Sequence, residues 1–188
     1  MNSMSIVPSR SRISTGRIAL FIVLGAESVF FVTVLVAYAA LREQVAWNLP
    51  HTFTRLQIPL MNTTILLISA ILAGLSTRAI RQGKRDSMQN RLWITLSLGL
   101  LFVAGQIFEF SHSGLHIDDA SFGGVFFTLL GFHAVHVLAG VVFLVLNLIR
   151  ASLGDYTAKD YEPVELGTWF WYYVTGVWAV LFTALYLL

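Results

Sequence analysis

Apolar residues along this chain gather into five long stretches, at about 18–40, 58–80, 92–110, 122–149 and 166–188, with most of the charge in the segments between them. A helix needs roughly 20 apolar residues to cross about 30 Å of hydrocarbon, since each residue advances the axis by only about 1.5 Å. Each stretch approaches or exceeds that length. The pattern predicts an all-α integral membrane protein, a bundle of five transmembrane helices making a single membrane domain over residues 1–188. The fourth stretch is the longest, so tilt or an interfacial first turn is expected there. The connections are too short to build a soluble domain, and no low-complexity tract or clear internal repeat interrupts the pattern.

The charged clusters set an expected orientation. Arg10, Arg12 and Arg17 precede the first stretch; Arg78, Arg81, Lys84, Arg85 and Arg91 surround the second connection; Arg150 and Lys159 follow the fourth stretch. Ten of the twelve basic residues therefore fall on one side, and only Arg42 and Arg55 on the other. Basic loops are retained in the cytoplasm, so the N-terminus is expected inside and the C-terminus on the outer side.

Composition supports the same reading. Hydrophobic residues make up 56% of the 188 and charged residues only 12%, with a mean hydropathy of +0.74. A water-soluble domain of this size devotes about a quarter of its residues to charge. With no cysteine, disulfides, thiolate metal sites and cysteine nucleophiles are excluded. A sequence pI near 9.2 could suggest nucleic acid, but the basic residues are sorted by membrane side, so no nucleic-acid partner is expected. The first apolar run is too long for a cleavable signal peptide and lacks a small-residue cleavage site after it.

Ionisable groups at membrane depth are costly, so each one is a candidate site. Glu27 lies near the middle of the first stretch. Gln106 and Glu109 are three apart in the third, and His133 and His136 three apart in the fourth, a spacing that places each pair on one helix face. Gly140 follows four residues after His136 and would let another helix come close. Asn62, Thr63 and Thr64 open the second stretch, where Thr63, Ala70, Gly74 and Thr77 trace a small-residue stripe suited to helix packing. Axial haem ligation calls for nitrogens from facing helices, and a di-metal bundle site for several carboxylates from different helices. The histidine spacing and the two carboxylates Glu27 and Glu109 offer neither, so no metal or haem is expected in this chain. Hydrogen bonding among these groups between helices is the expected use. His112 and His116, beside Asp118 and Asp119, read as a solvated outer face. Glu27 is either a structural carboxyl or a participant in proton movement; a complete proton path through this chain alone is not expected, because few other polar groups accompany it in the first and last stretches.

These residues resemble subunit III of the haem–copper respiratory oxidases. Gly131-Phe132-His133-Ala134-Val135-His136-Val137-Leu138-Ala139-Gly140 is similar to that family's G-x-H-x-x-H-V-x-x-G. Pro59-Leu60-Met61-Asn62-Thr63-Thr64-Ile65-Leu66-Leu67-Ile68-Ser69 resembles P-x-x-N-T-x-x-L-x-x-S, and Gly105-Gln106-Ile107-Phe108-Glu109-Phe110 resembles G-Q-x-x-E-[YF]. Glu27-Ser28-Val29-Phe30-Phe31 matches S-E-x-x-F-F with Ala26 in place of the serine. The last helix departs: where the family carries W-H-F-V-D-x-x-W, this chain reads Trp171-Tyr172-Tyr173-Val174-Thr175-Gly176-Val177-Trp178. The histidine and aspartate are thus replaced by Tyr172 and Thr175.

The resemblance is to the five-helix form, in the cytoplasmic membrane of a bacterium or archaeon. It implies a subunit without cofactors of its own that stabilises catalytic subunit I, which holds the haem and copper, and that stands near subunit II. It further implies phospholipid bound at the interface and support of proton uptake while oxygen is reduced to water. Glu27, Gln106, Glu109, His133 and His136 become the family's internal polar positions; Asn62, Thr63, Gly74, Gly131 and Gly140 are assigned to helix packing. An accessory subunit of nitric oxide reductase shares much of this pattern, and a small independent transporter is the alternative from another class. A small b-type cytochrome is disfavoured by the histidine spacing.

Overall fold

The computed structural model describes residues 14–44, 56–112 and 120–187. Five helices follow one another: α1 (Thr15–Gln44), α2 (Gln57–Arg81), α3 (Arg85–His112), α4 (Ala120–Ser152) and α5 (Glu162–Phe182), closed by a π-helical turn at Thr183–Leu187. All five are long and apolar enough to cross a membrane. The helices overrun their apolar windows. α3 begins at Arg85, seven residues before the apolar run, because polar residues such as Gln89 and Asn90 continue a helix as readily as they end one. The stops come instead from glycine. Gly83 takes φ +74° after α2 and Gly154 takes φ +84° after α4, left-handed conformations that close a helix end at little cost only without a side chain.

α2 and α3 form a tight antiparallel hairpin, the most extensive pairing in the fold. α4 packs on α3 and α5, and α5 returns to α2, so α2 to α5 form a ring of four. α1 stands outside that ring, touching α4 and α5; Phe31 and Tyr38 are the buried residues among its described side chains. Within the ring, α4 buries Phe126, Leu129, Leu130, His133, Val137, Leu144, Asn147 and Leu148 at intervals of one, three, four or seven, one face of a helix.

The centre of the ring is Trp171, with 0% of its surface exposed. Its indole enters where α3 and α4 carry glycine. A Cβ on Gly99 would lie 2.8 Å from the ring, and one on Gly140 2.7 Å. Two glycines from different helices thus make the slot for one aromatic. Its Nε1 donates to Ser69 Oγ of α2 at 3.0 Å, and about two helical turns away Trp178 Nε1 donates to Thr63 Oγ1 at 3.0 Å. Thr77 and Thr168 meet hydroxyl to hydroxyl at 2.8 Å further along the same seam. The small-residue stripe of α2 is therefore the face that receives α5.

At the end of the bundle rich in arginine, the α4–α5 connection folds back. Tyr156 donates to Asn147 Oδ1 at 2.7 Å, and Asn147 Nδ2 donates to the Pro163 carbonyl at 3.2 Å. Burial holds the Tyr156 phenol above its ordinary range.

Candidate functional site

Glu27 and His136 face each other across the α1–α4 contact, with Nε2 3.2 Å from Oε2. The other ring nitrogen, Nδ1, lies 2.7 Å from the Phe132 carbonyl four residues earlier. A carbonyl only accepts, so Nδ1 carries hydrogen and the tautomer follows from that contact. Nε2 is then the nitrogen turned to the Glu27 carboxyl. Glu27 therefore has a partner on α4 and does not stand alone in the first stretch. Phe31 packs edge-on to the His136 ring at 5.2 Å, and Ser28 Oγ donates back to the Leu24 carbonyl at 2.7 Å while lying 3.3 Å from Tyr173 Oη.

His133 has a different setting, although only three residues away. It belongs to the buried stripe of α4, with 2% of its surface exposed. Its ring stacks on Trp178 at 5.2 Å and stands edge-on to Phe102 at 6.5 Å. Neither ring nitrogen has a hydrogen-bond partner among the described residues. The 100° step per residue of a helix puts residues three apart about 60° from each other, enough to send His136 to α1 and His133 into the ring.

A second polar group joins α3 to the closing turn. Tyr186 donates to Glu109 Oε1 at 2.7 Å, and Gln106 Nε2 donates to Glu109 Oε2 at 3.3 Å. Gln106 Oε1 is buried without a partner among the described residues. The polar positions thus fall into two separate hydrogen-bonded groups, with His133 in neither.

The residues assigned to packing also divide. Asn62 lies against Gly105, whose Cβ would meet its Nδ2 at 2.6 Å, and Thr63 donates to the Pro59 carbonyl at 2.8 Å while accepting from Trp178. Gly74 leaves the space that the Tyr172 hydroxyl occupies. Gly140 holds Trp171. Gly131 differs: a Cβ there would meet nothing within 4 Å, so it packs against no helix among the described residues. The two departures in the last helix now have a local account. Thr175 returns its hydroxyl to the Trp171 carbonyl at 2.9 Å, and Tyr172 sends its hydroxyl to α2.

Glu165 is the residue that sequence reasoning missed. It is only 3% exposed, in the first turn of α5, where the helix dipole favours an acid. It accepts from Arg17 Nη2 of α1 at 2.7 Å and pairs with Arg81 of α2. Beside it Glu162 accepts from Ser14 and lies 3.6 Å from Arg17 Nε, and the two guanidiniums lie over Trp169 and Tyr161 at 5.6 and 5.4 Å. The available signal was an acidic pair three apart at the start of an apolar run, on the side where nearly all the arginines are. Among the described residues no group of three or more His, Cys, Asp or Glu could hold a metal ion. His116, Asp118, Asp119 and the side chain of His112 lie outside the described residues.

Comparison with known proteins bears on what this arrangement serves. The family model described as cytochrome c oxidase subunit III matches residues 11–188. The cytochrome c oxidase subunit 3 of Tachyglossus aculeatus aculeatus is 37% identical over 131 residues, 70% of this chain and 50% of that protein. The Mus musculus protein of the same name is 35% identical over the same shares, and that of Equus caballus is 32% identical over 136 residues, 72% of this chain and 52% of that protein. The chain spans about half the length of the curated relatives it matches.

Proposed function

Since the chain belongs to the cytochrome c oxidase subunit III family, we propose that it serves as the cofactor-free accessory subunit of a haem–copper terminal oxidase. In this reading it docks on the catalytic subunit I, with subunit II nearby, binds phospholipid at that interface, and supports proton uptake during reduction of oxygen to water. The observation that carries the proposal is the family match over residues 11–188. The Arg-rich end of the bundle is assigned to the cytoplasm by the basic-residue count, in a bacterial or archaeal cytoplasmic membrane. Exposed apolar side chains on α1 and α4, among them Val29, Val36, Val135 and Val142, suit a partner helix or lipid.

The test is purification in mild detergent through a tag on this chain, followed by a visible spectrum and mass spectrometry. A co-purifying haem–copper subunit and oxygen consumption by the complex are expected. A chain that emerges alone and colourless overturns the reading, and partners typical of nitric oxide reductase redirect it.

Glu27 and His136 are proposed as a proton-holding pair rather than a metal site. In Glu27→Gln the amide can still donate to Nε2, so the α1–α4 contact survives with a stability change of about 1 kcal/mol or less. The carboxyl proton is lost. Assembly is expected to stay intact and oxygen turnover to slow at most, read by blue-native gels and oxygen-electrode rates. Disassembly of the complex in this variant would make the role of Glu27 structural.

A further inference from the structure

Between α3, α4 and α5, in the half of the bundle remote from its Arg-rich end, lies a cavity of about 120 Å³. Phe102, Val103, Leu130, Ala134, Val137 and Trp178 are among its walls. His133 and Gln106 border it too, yet both ring nitrogens and Gln106 Oε1 are covered too deeply for a water to touch. Trp178 Nε1 is committed to Thr63, and Gln106 Nε2 donates to Glu109. The wall that a guest would meet is therefore carbon.

A water molecule needs about 10–15 Å³ of such space but also two to four polar partners. This cavity has the room and not the partners. Its aromatic walls are also held in place. Phe102 and Trp178 are both buried and lock together edge to face at 5.0 Å and 82°, while Trp178 is held by the Thr63 hydrogen bond and by the His133 stack. Stiff aromatic walls with no polar lining keep a space open and dry, and dry cavities of about 150 Å³ lined by Leu, Ile and Phe take up xenon or benzene. On the lipid side the cavity is bordered by half-buried Val103 and Ala134 and by exposed Ile107.

We propose that this cavity is a binding site for small apolar molecules dissolved in the bilayer hydrocarbon, from the size of a noble-gas atom up to a few carbons. Xenon is the probe. The purified protein, in whatever complex it forms, is equilibrated with pressurised xenon, and the site is located by crystallography or read as a bound resonance by ¹²⁹Xe exchange. A xenon peak in contact with the Trp178 and Phe102 rings is expected. Ala134→Leu, which places methyl groups in the space, is expected to reduce that peak to background while raising the thermal midpoint. Val103→Leu is the second filling variant should the first fail to fold. Ordered water in the cavity, no xenon there in the unaltered protein, or a xenon signal unchanged in a folded filled variant would each overturn the proposal. None of these readouts depends on oxidase activity, so this inference and the subunit assignment can fail separately.

Discussion

Replacing Trp171 with alanine is expected to destabilise the folded chain by about 3–5 kcal/mol, the usual range for emptying a packed Trp or Phe site. The ring is fully buried and touches three other helices at once: Gly99 of α3, Gly140 of α4 and Ser69 of α2. Lipid cannot refill a site enclosed by four helices, so the cavity would persist. The lost indole hydrogen bond adds only about 1 kcal/mol, because Ser69 still donates to the Leu66 carbonyl at 2.6 Å. The complementary change, Gly140→Ala, drives a methyl into the indole, whose position is fixed on its far side by Gly99. Overpacking of that kind costs about 1–3 kcal/mol. The two changes together are expected to cost less than their sum, since a small residue at 171 leaves room for the new methyl. Reversible unfolding by SDS titration in mixed micelles measures all three. A loss below about 1 kcal/mol for Trp171→Ala would mean that the ring does not organise the bundle.

Glu165→Ala is expected to loosen α1 and to cost about 2 kcal/mol. Removing one member of a buried ion pair typically costs 3–5 kcal/mol. Here the side chains of Arg17 and Arg81 are 39% and 51% exposed, so both guanidiniums can turn toward water and part of the loss is recovered. The effect should be unequal along the molecule. α2 keeps its Trp171, Trp178 and Thr168 contacts, whereas near its first turns α1 keeps the weaker Arg17–Glu162 pair at 3.6 Å, the Ser14–Glu162 hydrogen bond and the Phe21–Trp169 contact at 5.4 Å, and further along the Glu27–His136 pair and the Phe30–Phe132 contact at 4.3 Å. Amide hydrogen exchange is expected to accelerate in the first turns of α1 and to change little in α2. Glu165→Gln, which retains one acceptor oxygen, should fall between the two. Equal acceleration in both helices, or none, would show that Glu165 does not tether the start of α1.

Much of this molecule is legible along the chain. Uninterrupted apolar length over about 20 residues reports a spanning helix whatever surrounds it, because the bilayer requires every backbone polar group to be satisfied within the segment. The five spans, the sorting of arginines and the packing stripe of α2 are local properties of that kind. So are the motifs that carry the family resemblance, which the match over residues 11–188 supports. Helix ends were less legible, since polar residues beyond an apolar window still continue the helix until a left-handed glycine such as Gly83 stops it.

Only the tertiary structure decided which polar groups meet. Spacing puts His133 and His136 on one side of α4, but α1 and the ring lie on either flank of that side, so one histidine pairs with Glu27 and the other stacks on Trp178. Gly131 and Gly140 look equivalent in sequence, and one holds an indole while the other faces open space. Glu165 reads as an acid at a helix start until Arg17 and Arg81, 148 and 84 positions away, are seen on its oxygens. The physical reason is that the sequence by itself determines what each helix needs, its length, its apolar face and its costly polar atoms. Which neighbour meets each need depends on the rotation and height at which separate helices pack, and those are set by side chains far apart in the chain.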